Sequence, residues 1–151
     1  MLSRIAVAAL TLVVCVAIGN ASPPKNGINW ETDLLKARSK AMQTGRPILI
    51  VFGAEWCTFC KKMENTTLSE KEMVAAINER FVPVHLDFDK SKPIAQALEV
   101  KGIPSSIVIS TEADVLSRKD GFAKSEDYYK ILAKGLKAHQ IQTASGSREL
   151  K

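Results

Sequence analysis

Apolar and polar positions along the chain switch between a helical and a strand-like pattern. Over 30–44, Trp30, Leu34, Leu35, Ala37, Ala41 and Met42 mostly recur at helical spacing with charges between them, predicting a helix. Gly45 ends it and Pro47 blocks its continuation. Residues 48–52 are a continuous apolar run, the pattern of a buried strand. Lys61, Lys62, Met63 and Glu64 suit a helix that breaks at Asn65-Thr66-Thr67. Ser69-Glu70-Lys71-Glu72 has the form of a capping box, with Ser69 as N-cap of a helix reaching about Arg80 and burying Met73 and Ile77. Residues 81–88 predict a second buried strand, central in its sheet. Pro83 is placed at the start of this strand because it cannot donate to a ladder. A short helix over 93–98, a turn at Gly102-Ile103-Pro104, and strands over 106–110 and 115–121 follow. Ser125 caps a last amphipathic helix through Tyr128, Ile131, Leu132 and Leu136 to about Ile141.

Strand–helix–strand units followed by an adjacent strand pair imply an α/β fold, a central mixed β-sheet with helices on both faces. The organisation expected is a signal peptide over 1–21, a flexible leader over 22–29, one domain over 30–141 and a disordered tail over 142–151.

Composition narrows the function. The chain has 151 residues and a net charge of +5, enough length for one domain with a sizeable core. Its basic residues are scattered, so the clustered basic face of a nucleic-acid binder is missing and no nucleic-acid partner is expected. At the start, Arg4 precedes an apolar stretch of 14 residues, 5–18, and Gly19-Asn20-Ala21 offers a small-residue cleavage site. That is the pattern of a secretory signal peptide. The stretch falls short of the ~20 residues that span a bilayer, so an uncleaved anchor is the weaker reading. Val14 before Cys15 argues against a lipidated cysteine. The expected location is therefore the periplasm or the exterior.

Cleavage after Ala21 leaves only Cys57 and Cys60. A bridge across two intervening residues closes a tiny loop and removes little unfolded-chain entropy, so stapling explains this pair poorly. Exchange chemistry explains it better. Cys57 falls at a predicted helix N-terminus, where unpaired N–H groups and the helix dipole favour a thiolate. Cys57 is thus the expected nucleophile, and Cys60, one turn on, the thiol that resolves the mixed disulfide by attacking it.

Phe52-Gly53-Ala54-Glu55-Trp56-Cys57-Thr58-Phe59-Cys60-Lys61, with Gly102-Ile103-Pro104-Ser105 placed so that Pro104 lies 44 residues after Cys60, resembles the thioredoxin superfamily. The resemblance covers about 30–139 and is nearest to exported thioredoxin-like thiol:disulfide interchange proteins and to the terminal domain of membrane reductant-conducting proteins. It implies a thioredoxin-like fold, a redox-active disulfide between Cys57 and Cys60, and a cis Pro104 facing that pair. It also implies support of the site or of its substrate by Trp56, Thr58, Phe59, Ile103 and Glu55. No cofactor and no metal are implied.

The sequence departs from the family where it matters for proton transfer. Val51 stands where a buried acid is common, and His85 where its lysine partner would be. Glu55 is read as a surface carboxylate that could assist through water, and His85 as a packed or edge histidine. Thr58-Phe59 carries neither the motif histidine of strong oxidases nor the Gly-Pro of cytosolic thioredoxins.

The expected function is an exported thiol–disulfide oxidoreductase that reduces protein disulfides as a monomer, with a membrane thiol electron donor. The alternatives are a disulfide donor or isomerase, a metal-binding module using Cys57, Cys60 and His85, and a non-catalytic docking domain.

Overall fold

A computed structural model describes residues 23–149. The signal peptide read over 1–21 and Cys15 within it lie outside the described residues. In chain order the elements are α1 (Leu34–Thr44), β1 (Ile48–Gly53), α2 (Thr58–Asn65), a 3₁₀ turn (Thr67–Ser69), α3 (Lys71–Arg80), β2 (Val82–Asp87), α4 (Lys92–Ala97), β3 (Ser105–Ile109), β4 (Val115–Asp120) and α5 (Ser125–Glu149). This order is the one that the hydrophobic pattern predicts. The strands form one mixed sheet in the order β2-β1-β3-β4, with β1 parallel to β2 and antiparallel to β3, and β3 antiparallel to β4.

The unbroken apolar run of β1 follows from burial on both sides. Alternate residues face opposite layers. Leu49 and Val51 pack with Met63 of α2, Met73 and Ile77 of α3, and Tyr128 and Leu132 of α5. Ile48, Ile50 and Phe52 pack with Val82, Val84 and Leu86 of β2 and with Ala37, Ala41 and Ala95 of α1 and α4. On the first face α5 lies so close to the sheet that a Cβ at Gly135 would meet Ser117 Oγ and Val108 Cγ1, each at 2.8 Å.

Two helix starts differ from the reading of the sequence. Helix α1 begins at Leu34 rather than Trp30, because the Asp33 carboxylate accepts the Lys36 N–H at 2.9 Å and caps it. Trp30 stays outside the helix, its indole N–H donating to Asn26 Oδ1. The capping box at Ser69 does not form. Ser69 closes the 3₁₀ turn and its hydroxyl donates back to the Thr66 carbonyl at 2.9 Å, while Glu70 takes the N-cap position of α3 with no side-chain bond to the helix. The Glu70 carboxylate instead accepts the Ser125 hydroxyl.

Strand β2 lies at the sheet edge, not its centre. Its apolar character comes from being covered on both faces, and its outer side carries one short bridge to Glu31. There the Glu31 N–H donates to the Pro83 carbonyl and the His85 N–H to the Glu31 carbonyl. Pro83 therefore sits inside the strand, opposite Leu49. Its missing N–H would point to the outer side, where no ladder is lost.

Both ends of the domain make contacts with the rest of it. Asn78 of α3 holds the segment before Trp30, accepting the Asn29 N–H and donating to the Gly27 carbonyl. Helix α5 continues beyond Ile141 to Glu149, with the Gln142 amide donating to Asp114 at 2.8 Å. No proline interrupts this stretch.

Candidate active site

Strand β1 runs into a turn in which the Cys57 N–H donates to the Ala54 carbonyl at 3.0 Å. Cys57 is the N-cap of α2, and its sulfur accepts the Cys60 N–H at 3.1 Å. A sulfur thus occupies the capping position that an oxygen side chain usually takes. Cys57 and Cys60 are joined by a disulfide with Cα atoms 5.2 Å apart. Both are buried, but Cys57 keeps 5% of its surface exposed against 1% for Cys60, so Cys57 is the more exposed residue of the pair.

The surroundings of the disulfide are apolar and open. Trp56 and Phe59 are 66% and 61% exposed, although both are large aromatics. Trp56 is nevertheless held, its indole N–H donating to Asp89 Oδ2 at 2.7 Å. Thr58 and Glu55 are exposed. The Ile103–Pro104 peptide bond is cis, as the resemblance implies. Ser105, directly after it, pairs with Phe52 of β1, which puts Pro104 at the same end of the sheet as the turn carrying the cysteines.

Behind the disulfide, Val51 lies in the apolar core opposite His85 in the β1–β2 register. The His85 side chain is 13% exposed. Its Nε2 lies 3.1 Å from Glu64 Oε1 of α2, and its ring meets Trp30 edge-on at 5.5 Å. A cavity of about 110 Å³ lies beside this pair, lined by Gly53, Ala54, Glu55, Lys61, Glu64 and His85. One ring nitrogen of His85 is thus engaged by Glu64. Among the described residues no group of three or more His, Cys, Asp or Glu side chains could hold a metal ion.

The structure gathers Glu55, Trp56, Cys57, Thr58, Phe59 and Cys60 on one turn and the start of one helix, with Ile103 and Pro104 at the same sheet end. Sequence reasoning missed two residues at this end, Asp89 and Glu64. Glu64 had a signal, its place four residues after Cys60 on one helix face. Asp89 had none, since only the fold brings it to Trp56.

Comparison with known proteins agrees with this geometry. A family model described as a thioredoxin-like domain matches residues 34–136. A thiol:disulfide interchange protein DsbD of Ralstonia nicotianae is 24% identical over 138 residues, covering 85% of this chain and 23% of that protein. A thiol:disulfide interchange protein TxlA homolog of Synechocystis is 28% identical over 119 residues, covering 78% of this chain and 65% of that protein. The chain therefore spans about a quarter of the first relative and just under two thirds of the second. The solved structure of a DsbH oxidoreductase superposes with a TM-score of 0.63 at 23% identity, covering 73% of this chain and 85% of that one, a likeness of fold. With the family model spanning most of the domain and the cysteine pair seated on the first turn of α2, the chain belongs to the thioredoxin-like family.

Proposed function

We propose that this protein is an exported thiol–disulfide oxidoreductase that reduces disulfides in other proteins through Cys57 and Cys60. One observation carries the reading: the disulfide sits at the N-terminus of α2 with Cys57 as its more exposed residue. The printed names of the relatives, thiol:disulfide interchange proteins, support the same chemistry.

In the reduced protein the Cys57 thiolate attacks a client disulfide. One client sulfur leaves as a thiolate and takes up a proton, and Cys57 is left in a mixed disulfide. Cys60 loses its proton and attacks the Cys57 sulfur. The Cys57–Cys60 bond forms, the second client sulfur leaves, and two electrons have passed to the client. Backbone N–H groups at the start of α2 favour the Cys57 thiolate both as attacker and as leaving group. Trp56 and Phe59 give an unfolded or extended client an apolar surface, and Ile103 borders it.

Export rests on the N-terminal pattern over 1–21. Among the described residues no helix is long and apolar enough to cross a membrane. A periplasmic or secreted reductant needs electrons from elsewhere, and a membrane thiol carrier is the donor that fits. The test is reduction of a disulfide-bonded protein substrate by the dithiol form. Wild type should turn over with a regenerating reductant, and Cys57→Ser should fall to the uncatalysed rate. Undiminished turnover by Cys57→Ser contradicts the assignment.

A further inference from the structure

Cys60 must lose a proton before it can resolve a mixed disulfide, because the thiolate is the nucleophile. It is 1% exposed, and the position where an internal carboxylate would serve it is Val51, within the apolar core. We propose that the Glu64–His85 pair is the acceptor of the Cys60 proton, taking it through water in the cavity beside Gly53. This rests on the dithiol reading above.

Glu64 lies one helical turn beyond Cys60 on the same face of α2. Its carboxylate and the His85 ring form a close pair with side-chain exposures of only 17% and 13%. Both reach toward Gly53, where a Cβ would come within 3.1 Å of His85 Nε2 and 3.3 Å of Glu64 Oε1. The absent side chain at Gly53 thus leaves the space that the pair occupies. The adjoining cavity of about 110 Å³ is mostly apolar but is edged by Glu64 and His85, and it has room for ordered water, which needs at least about 10–15 Å³ per molecule and two or more polar partners. A proton transfer relayed by one water is within the reach of general-base catalysis.

Other charged groups face the same space. Lys61 comes from α2, Glu55 from the preceding turn and Asp87 from the end of β2. Glu31, on the segment bridged to β2, is instead tied to Lys40 at 2.9 Å. Of these groups, Glu64 and His85 alone are bonded to each other across the helix and the strand. A proton arriving at either can be shared along their hydrogen bond and released to solvent through the cavity. Cys60 loses a proton and gains the bond to Cys57, the client sulfur leaves with the electron pair of the broken bond, and the pair carries the proton until solvent removes it.

The test follows the resolving step alone. Reduced full-length protein carrying Cys15→Ala is mixed with one equivalent of an aromatic disulfide that releases a coloured thiolate. The first coloured thiolate leaves when Cys57 attacks, the second when Cys60 displaces it from Cys57. Glu64→Gln and His85→Gln should keep the first phase and slow the second by about 10²-fold, the low end of a general-base contribution. In these variants the second rate should keep rising with pH where the wild-type rate levels off, because Cys60 then depends on proton loss to bulk solvent. If His85→Gln does not fold, as judged by circular dichroism, Glu64→Gln alone decides. An unchanged second phase in a folded variant overturns the proposal. So does a slowed second phase with the wild-type pH profile, which would mark a structural role. Loss of the first phase in wild type would instead overturn the dithiol reading.

Discussion

The Cys57 sulfur does two jobs that depend on one position. As N-cap it accepts a backbone N–H of α2, and as redox partner it bonds Cys60 one turn on. Both follow from a motif of four residues, which is why the chemistry was legible in the sequence. The residues around the pair were less legible because their contacts span the chain. Glu64 and His85 are 21 residues apart, Trp56 and Asp89 are 33, and no local periodicity records either meeting. Tyr128 is a similar case, read only as an apolar position of α5. It is fully buried, and its hydroxyl donates to Ser106 Oγ at 3.0 Å. Burial pushes its phenol well above the ordinary range, and the Ser106 bond offsets only part of that. In the unfolded chain the phenol ionises near pH ~10, while in the folded chain it stays protonated. Above that pH the folded state binds more protons, so stability falls as pH rises. Tyr128→Phe should be less stable at neutral pH by about 1 kcal/mol, with Ser106 left without its partner. It should also lose less stability than wild type between about pH 9 and 11. Urea midpoints across that range provide the check; parallel alkaline losses would contradict it.

At the scale of elements, the order of helices and strands was readable because each segment keeps its own period. Where the reading slipped, a competing local contact decided. Ser69 matched the capping-box spacing, but its backbone belongs to the preceding 3₁₀ turn, so its hydroxyl faces Thr66. Asp33 was not singled out, yet it holds the first turn of α1. The two sites therefore predict opposite sizes of effect. Asp33→Ala should cost about 1 kcal/mol, the usual value for losing an N-cap. Ser69→Ala should cost under about 0.5 kcal/mol, since it loses one exposed hydrogen bond. Denaturant midpoints at unchanged slope measure both; a larger loss at Ser69 would restore the capping box. Pro83 makes the same point for strands. Its apolar neighbours suggested a central position, but the missing N–H fits an edge, and edge position with covered faces satisfies both.

At the scale of the whole molecule, neither strand order nor the pairing of helices with sheet faces could be read from periodicity, since a fully apolar strand has no polar side to orient it. The structure supplies what the motif lacks by itself. It places β1 in the sheet interior, delivers the cysteines at its end, and starts β3 with Pro104 alongside. Under the function proposed above, this arrangement serves reduction. Thr58 and Phe59 between the cysteines add no positive charge to stabilise the Cys57 thiolate further, whereas strong oxidants draw their power from a stabilised reduced form. The most direct test is the reduction potential of the Cys57–Cys60 couple, measured by equilibration against redox buffers of known poise. A value near −270 mV, at the reducing end of the range, is predicted for the purified protein. A value near −120 mV would contradict the account and make the protein a disulfide donor.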